Sequence, residues 1–327
     1  MMSSIDNRLL TILKNGQQYS IEELAKNLGE DRRSIILGLK SLESRGYQFW
    51  KQDSHFVRLI VGYEKLCISD IKGDLPTKLV GQKIFLYDVV DSTNKKAMEL
   101  AEKNEPEGTV IIANEQIMGK GRWGRVWWSP KGKGLWFSVI FRPRFSVERG
   151  FLFTFMGAVA VARAVESILN LKPSIKWPND LFFDNRKFCG ILAETKTENE
   201  MLKYVILGIG VNVNLEESDF PAEYDSEATS LSIICGEKVK RVPLLQKILI
   251  ELETWYEQLK NGREDSLLTK WQAYNVMLDK RVSVLLPNSL LEGIVKGIDG
   301  KGGLVLELPD QSRRVLYAGD VRMLQIR

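Results

Sequence analysis

Histidine is almost missing from this chain: among 327 residues the only one is His55. That scarcity removes Ser-His-Asp and Cys-His catalysis, and histidine-rich metal sites, from nearly the whole protein. Cysteine is scarce too. Cys67, Cys189 and Cys235 lie far apart without a C-x-x-C pair, so neither a disulfide framework nor a zinc cluster is expected, and the thiols read as small buried apolar residues. No stretch of 18 residues is free of charge, and the opening "MMSSIDNRLL" lacks the basic start and continuous apolar segment of a secretory signal. The expectation is a cytoplasmic protein with no membrane partner. A net charge of +4 is too small by itself to argue for nucleic acid. Any chemistry must rest mainly on Lys, Arg, Asp, Asn and backbone amides.

With 44% hydrophobic and 27% charged residues the composition is globular, and the length suits two or three domains. Residues 1–62 read as a small helical unit closed by a hairpin. "IDNRLLTILKNG" sets Ile5, Leu9, Ile12 and Leu13 near one helical face, with Gly16 where the helix would stop. In "YSIEELAKNLGE", Ser20 and Glu23 form an S-x-x-E capping box, and Gly29 supplies the turn. A third helix starts at Asp31 and lines up Ile35, Leu39 and Leu42, leaving Arg32, Arg33, Ser34 and Lys40 outside. "YQFWKQDSHFVRLI" then reads as two strands about a polar turn, a wing. This is the layout of a helix placed in the major groove, with those four residues facing DNA; a three-helix protein-binding or dimerisation module is the alternative.

A linker is expected over residues 63–80, a central domain over 81–278 and a small barrel of about five strands over 279–327. The link "FFDNRKFCG" is too short for a helical crossover, so adjacent strands should run antiparallel. That makes the fold α+β, with a mixed or antiparallel central sheet, rather than doubly wound.

"GKGRWG", residues 119–124, satisfies the dinucleotide pattern G-x-G-x-x-G. The continuation "RVWWSPKGKGLWFSVI" cannot be the helix that pattern requires, so the NAD reading fails on context. The loop can still enclose an anion, and residues 115–144 hold seven Lys or Arg against one acid, Glu115. Further on, "KWPNDLFF" places Lys176, Asn179 and Asp180 before a strand, and "DNRKFCGILAE" brings Lys187 across the turn. In "GIGVNVN", Gly208 and Gly210 permit close approach and Asn212 is a polar group in an apolar strand. Three such irregularities in neighbouring strands point to a polar ligand.

"DSTN", "EQIMGKGRWGR", "WPND", "KFCGILAE" and "GIGVNVN", in that order, resemble biotin protein ligases, and the N-terminal unit resembles the winged helix-turn-helix of the bifunctional form that represses biotin genes. The resemblance implies a central domain of class II synthetase type and an SH3-like C-terminal barrel. It implies that biotin and ATP, with Mg²⁺, give biotinyl-5′-adenylate, that a lysine of the biotin carboxyl carrier protein then takes the biotin, and that the adenylate is a corepressor promoting a homodimer on operator DNA. By the same resemblance Ser92, Thr93, Asn94 and Gln116 meet the biotin rings, whose ureido group wants a donor and an acceptor. Lys120, Gly121 and Arg122 close over biotin and adenylate, and Lys187 contacts carboxyl and phosphate. Gly119, Arg125, Trp127, Asn179 and Asn212 fall on the nucleotide side, with Asp180 joining Lys187 and Arg122 as catalytic. The usual family loop is G-R-G-R-x-G; here Lys120 and Trp123 depart from it, as "EDRRS" departs from the common repressor helix start. A lipoate or octanoate ligase and a biotin sensor without ligase activity are the competing readings.

Overall fold

Three short helices open the chain: α1 (Ser4–Leu13), α2 (Ile21–Leu28) and α3 (Arg32–Ser44). They belong to the first of two units, Met1–Asp74 with Lys240–Val242; the second is Leu75–Val239 with Pro243–Arg327. The structure, a computed structural model, describes all residues except 1, 2, 14, 45, 46, 54, 62–65, 224–226, 288 and 325–327.

In the first unit the capping box forms as expected: Ser20 Oγ accepts from Glu23 N at 3.0 Å, and Glu23 Oε2 accepts from Ser20 N at 2.7 Å. Gly29 ends α2 in the left-handed region at φ +64°. The acid that departs from the repressor pattern has a local purpose. Asp31 Oδ1 accepts from Ser34 N at 2.7 Å at the start of α3, and this bond holds its carboxyl below the usual range. Leu9, Leu13, Ile35, Leu39 and Leu42 form the core, each burial contributing roughly 1.5–3 kcal/mol. Strands β1 (Tyr19–Ser20), β2 (Gln48–Gln52) and β3 (Phe56–Val61) pair antiparallel in the order β1-β3-β2, which gives the hairpin after α3. Part of the segment expected as linker is helical, α4 (Ile68–Lys72), because Leu66 and Ile71 are buried; residues 63–65 of it lie outside the described set.

The second unit is built on a seven-stranded sheet: β4 (Ile84–Val90), β5 (Val110–Gln116), β6 (Gly134–Phe141), β7 (Ser174–Lys176), β8 (Asp180–Phe183), β9 (Arg186–Glu198) and β10 (Met201–Asn212), in the order β4-β5-β6-β10-β9-β8-β7. β4 and β5 are parallel, an exception to the antiparallel expectation, and α5 (Thr93–Glu102) between them is the crossover that a parallel pair needs. The remaining pairs are antiparallel. β8 and β9 are joined by Asp184 and Asn185, both at positive φ, and β9 and β10 by Asn199 and Glu200, likewise. These are the two-residue hairpin connections whose twist matches the strands.

Helix α6 (Phe151–Leu169) is long and apolar enough to cross a bilayer, yet Phe153, Phe155, Val159 and Val165 are buried in the protein core. α7 (Leu231–Cys235), α8 (Arg241–Lys260) and α9 (Glu264–Gln272) complete the helices, and α9 packs Trp271 in a stack on Phe155. The chain then forms an antiparallel five-stranded sheet of β11 (Arg281–Leu286), β12 (Ser289–Ile298), β13 (Leu304–Glu307), β14 (Arg313–Leu316) and β15 (Asp320–Met323), in the order β14-β13-β12-β11-β15.

Candidate active site

A cavity of about 930 Å³ opens where β8, β9 and β10, the start of α5, the 119–127 segment and β15 converge. Every residue expected to meet biotin, nucleotide or the reacting atoms borders it except Gly119, so the structure brings together motifs spread over 120 positions. Gly119 lies just behind, pressed on Trp127: its carbonyl accepts from Trp127 N at 2.8 Å, and a Cβ on it would stand 2.3 Å from the Trp127 carbonyl oxygen.

The loop is a small hairpin. Gly119 to Trp127 closes with the Lys120↔Val126 bridge and with Gly121 N donating to the Arg125 carbonyl at 2.7 Å. At its tip Trp123 takes φ +58° and Gly124 φ +74°. Trp123 is 61% exposed, with the Arg122 guanidinium 5.7 Å from its ring centre. Lys120 is exposed; Arg122 is half-buried, and desolvation draws its ionisation below the usual value. Arg122 donates to Asn179 Oδ1 and to the Gly319 carbonyl, both at 3.4 Å, and Arg125 pairs with Asp320 of β15.

Much of the cationic excess read from residues 115–144 is absorbed by the protein itself. Lys131 pairs with Asp88, Lys133 with Asp219, and Arg142 donates to the Ala101 and Glu105 carbonyls. Of that excess, Lys120, Arg122 and Arg125 of the hairpin border the cavity, where Lys176 and Lys187 join them, with Lys280 and Arg322 also on its lining.

Lys187 Nζ lies 2.7 Å from Asp180 Oδ1 and 5.2 Å from the Trp127 ring centre. The pair is placed by the β8–β9 hairpin, which sets Asp180 and Lys187 on adjoining strands. Lys176 faces Asp180 in the β7–β8 register; desolvation lowers its pKa and Asp180 partly opposes this. Lys176 is singled out by "KWPND" among the polar groups pointing to a ligand, though without a role of its own.

The asparagines among the three polar irregularities also have partners inside the protein. Asn212 Nδ2 donates to the Thr229 carbonyl at 3.0 Å and Asn179 Nδ2 to the Ile191 carbonyl at 2.8 Å. The glycines make room for side chains: a Cβ on Gly208 would stand 2.0 Å from Asn94 Oδ1, and one on Gly210 2.2 Å from Trp127 Nε1. Gly210 and Gly190 are cross-strand partners, and together they form the slot on which the Trp127 indole lies. Asn94 is used up in turn, donating to Glu194 Oε2 at 2.7 Å and to the Leu192 carbonyl at 3.3 Å. Ser92 and Thr93 are buried at the start of α5, and Gln116 Oε1 accepts from Thr93 N at 2.8 Å. Asp320, which ties the hairpin to β15, had no motif to announce it.

In the first unit Arg33 and Lys40 are exposed on α3 and Ser34 is half-buried. Arg32 is exposed as well, but its guanidinium pairs with Glu22 of α2.

Comparison with known proteins agrees with this geometry. Residues 86–212 match the biotin/lipoate A/B protein ligase family, and residues 277–324 match the biotin protein ligase C-terminal domain. The bifunctional ligase/repressor BirA of Bacillus subtilis is 34% identical over 325 residues, which cover 99% of this chain and 100% of that one. BirA of Escherichia coli is 25% identical over 93% of each chain. Among solved structures, the biotin protein ligase of Aquifex aeolicus in complex with biotin and ATP superposes with a TM-score of 0.65 at 28% identity, covering 75% of this chain and all of that one.

Proposed function

Since the chain belongs to the bifunctional biotin ligase/repressor family, we propose that its cavity joins biotin to AMP and passes the biotin to a lysine of the biotin carboxyl carrier protein. The observation that carries this reading is the cluster of Arg122, Lys176 and Lys187 around Asp180 in one cavity. In the first step a biotin carboxylate oxygen attacks the α-phosphorus of ATP and pyrophosphate leaves. The carboxylate is already ionised at neutral pH, so the absence of a histidine base costs nothing. Two anions must approach, and cations that lower this repulsion and stabilise charge on phosphorus supply the catalysis. Lys187 and Arg122 do this; Asp180 holds Lys187 on the cavity wall. In the second step the amine of the carrier lysine forms the amide and AMP leaves.

Thr93 and Gln116 read the ureido end of biotin, with Ser92 and Asn94 beside them. Lys120, Gly121 and Arg122 cover biotin and adenylate. Trp127, on its glycine slot, forms one face of the adenine pocket; Gly119 sets its backbone, and Arg125, Asn179 and Asn212 line the nucleotide side. Among the described residues no three His, Cys, Asp or Glu side chains converge on one point. This donor set suits Mg²⁺ carried in on the triphosphate and touched by one carboxylate, Asp180. The ion would neutralise phosphate charge.

The first unit binds operator DNA. Arg33, Leu37 and Lys40 share one exposed face of α3, Leu37 being 57% exposed. Biotinyl-adenylate acts as corepressor by promoting a homodimer, whose two winged helices span a palindromic site. The protein works in the cytoplasm, where carrier protein, ATP and DNA are all present.

The test is to incubate the protein with Mg-ATP, a carrier domain and either biotin or lipoate, and to probe the carrier. Biotin on the carrier is expected. Lipoate transfer alone, or biotin binding without transfer, overturns the assignment. Lys187→Ala should lose adenylate formation while keeping the fold. For repression, operator affinity that does not change when the adenylate is added overturns the corepressor role.

A further inference from the structure

Behind the cavity wall stand two buried serines, Ser129 and Ser138, 2% and 0% exposed. We propose that these serines fix the hydrogen-bond polarity with which Gln116 and Thr93 meet a ligand, making the site selective for a cyclic urea; the inference rests on the biotin reading above.

The polarity can be derived atom by atom. A peptide N–H can only donate, so the Gln116 atom 2.8 Å from Thr93 N is oxygen, and the amide nitrogen is turned the other way. Gln116 Nε2 then meets Ser129 Oγ at 2.9 Å. Ser129 spends its own hydrogen on the Trp127 carbonyl at 3.0 Å, so toward Gln116 it can only accept. One of the two amide hydrogens of Gln116 is thereby used, and the other is what the side chain has left to offer. Gln116 is a donor toward the cavity.

Thr93 is set to the opposite sign. Asn94 Nδ2 faces two acceptors, the Leu192 carbonyl and Glu194, which turns Asn94 Oδ1 toward Ser138 Oγ at 2.6 Å. Ser138 Oγ is also 2.8 Å from Thr93 Oγ1, which lies 3.1 Å from Gln116 Oε1. Ser138 donates its hydrogen to Thr93 or to Asn94, and with either choice Thr93 donates to Gln116 Oε1. In both arrangements the single hydrogen of Thr93 stays inside the protein, and the hydroxyl is an acceptor toward the cavity. A fixed donor beside a fixed acceptor matches the C=O and N–H of a urea. It opposes 2-iminobiotin, whose protonated guanidine puts N–H where the carbonyl was.

Ser129 and Ser138 are therefore positioning residues for substrate choice. The test is pyrophosphate exchange by the full chain with Mg-ATP and either biotin or 2-iminobiotin, in the wild type, Ser129→Ala and Ser138→Ala. The wild type should prefer biotin in kcat/KM on the order of 10²-fold or more, because a site with fixed partners rejects the analogue lacking them. Each variant should lower that preference on the order of tenfold. The loss should appear in KM for the biotin-type substrate and leave KM for ATP unchanged, whereas a general loosening of structure would move both. A folded variant whose preference stays within about twofold of wild type overturns the inference. If Ser138→Ala does not fold, Ser129→Ala decides. A wild type that adenylates both compounds equally refutes the polarity alone; one that adenylates neither refutes the ligase reading beneath it.

Discussion

Gly210→Ala tests the adenine-pocket assignment with one methyl group. A Cβ at this position stands 2.2 Å from Trp127 Nε1 and 2.7 Å from its Cε2. Ordinary contact begins near 3.4 Å, so the indole must retreat by about 1.2 Å. Trp136 meets it edge-on at 6.5 Å between ring centres, and even on Gly190 a Cβ would stand 3.0 Å from Trp127 Cζ3, so the indole lies close over both strands. The free direction is outward, into the cavity, where the proposed function places adenine. Overpacking of this kind costs roughly 1–3 kcal/mol. Because Trp127 sits on a half-exposed hairpin, the cost falls on the site more than on the fold. KM for ATP in pyrophosphate exchange should rise about tenfold, equivalent to about 1.4 kcal/mol, with KM for biotin nearly unchanged and the melting temperature little altered. An unchanged KM for ATP in the folded variant would refute Trp127 as a wall of the nucleotide pocket. A rise confined to KM for biotin would move that wall to the other substrate.

Lys176 should impose a pH dependence on stability. Its folded pKa is lowered by burial, so between that value and the ordinary lysine range the unfolded chain binds more protons, and stability should rise with pH across this window. Lys176→Met should flatten the rise, read as melting temperature against pH; an identical slope in the variant would show that another group titrates. Trp123→Gly should leave the fold intact, since a bulky residue at φ +58° carries a backbone cost of roughly 1–2 kcal/mol that glycine removes. Because Trp123 stands 61% exposed at the hairpin tip, its loss should weaken the proposed adenylate-dependent dimer in sedimentation, and an unaffected dimer would place Trp123 outside the interface. Arg33→Ala and Lys40→Ala should each weaken operator binding and reduce its salt slope by about 1. Arg32→Ala, whose charge is already paired with Glu22, should do less; an equal loss would show that DNA displaces Glu22.

Features set by neighbours in the chain were the ones readable from it. The Ser20–Glu23 capping box needs residues three apart, and the β8–β9 turn needs only Asp184 and Asn185, so both could be seen as patterns. The sequence points to a mixed or antiparallel sheet; the short later links mark the antiparallel pairs, whereas the parallel β4–β5 pair depends on α5 as its crossover, which no short link announces. The helix within 63–80 was hidden for a different reason: α4 is only five residues long and is held by the burial of Ile71, not by periodicity.

The site divides along the same line. Its cations were legible, since Lys120, Arg122 and Lys187 lie in short motifs, but the groups that spend or aim those charges were not. Arg125 meets Asp320, which comes 195 positions later on β15, and Gln116 is aimed by Ser129 and Thr93, 13 and 23 positions away. A serine or an aspartate carries no sign of such a task in its own neighbourhood. The asparagines follow the same reasoning: an amide in an apolar strand requires a partner, and a backbone carbonyl satisfies its donor as fully as a ligand. Asn212 found Thr229 and Asn179 found Ile191. A polar residue inside a strand therefore marks a hydrogen bond that must exist. Whether the partner is substrate is decided by the atoms left over, and here those are the second amide hydrogen of Gln116, the lone pair of Thr93, and the cations around Asp180.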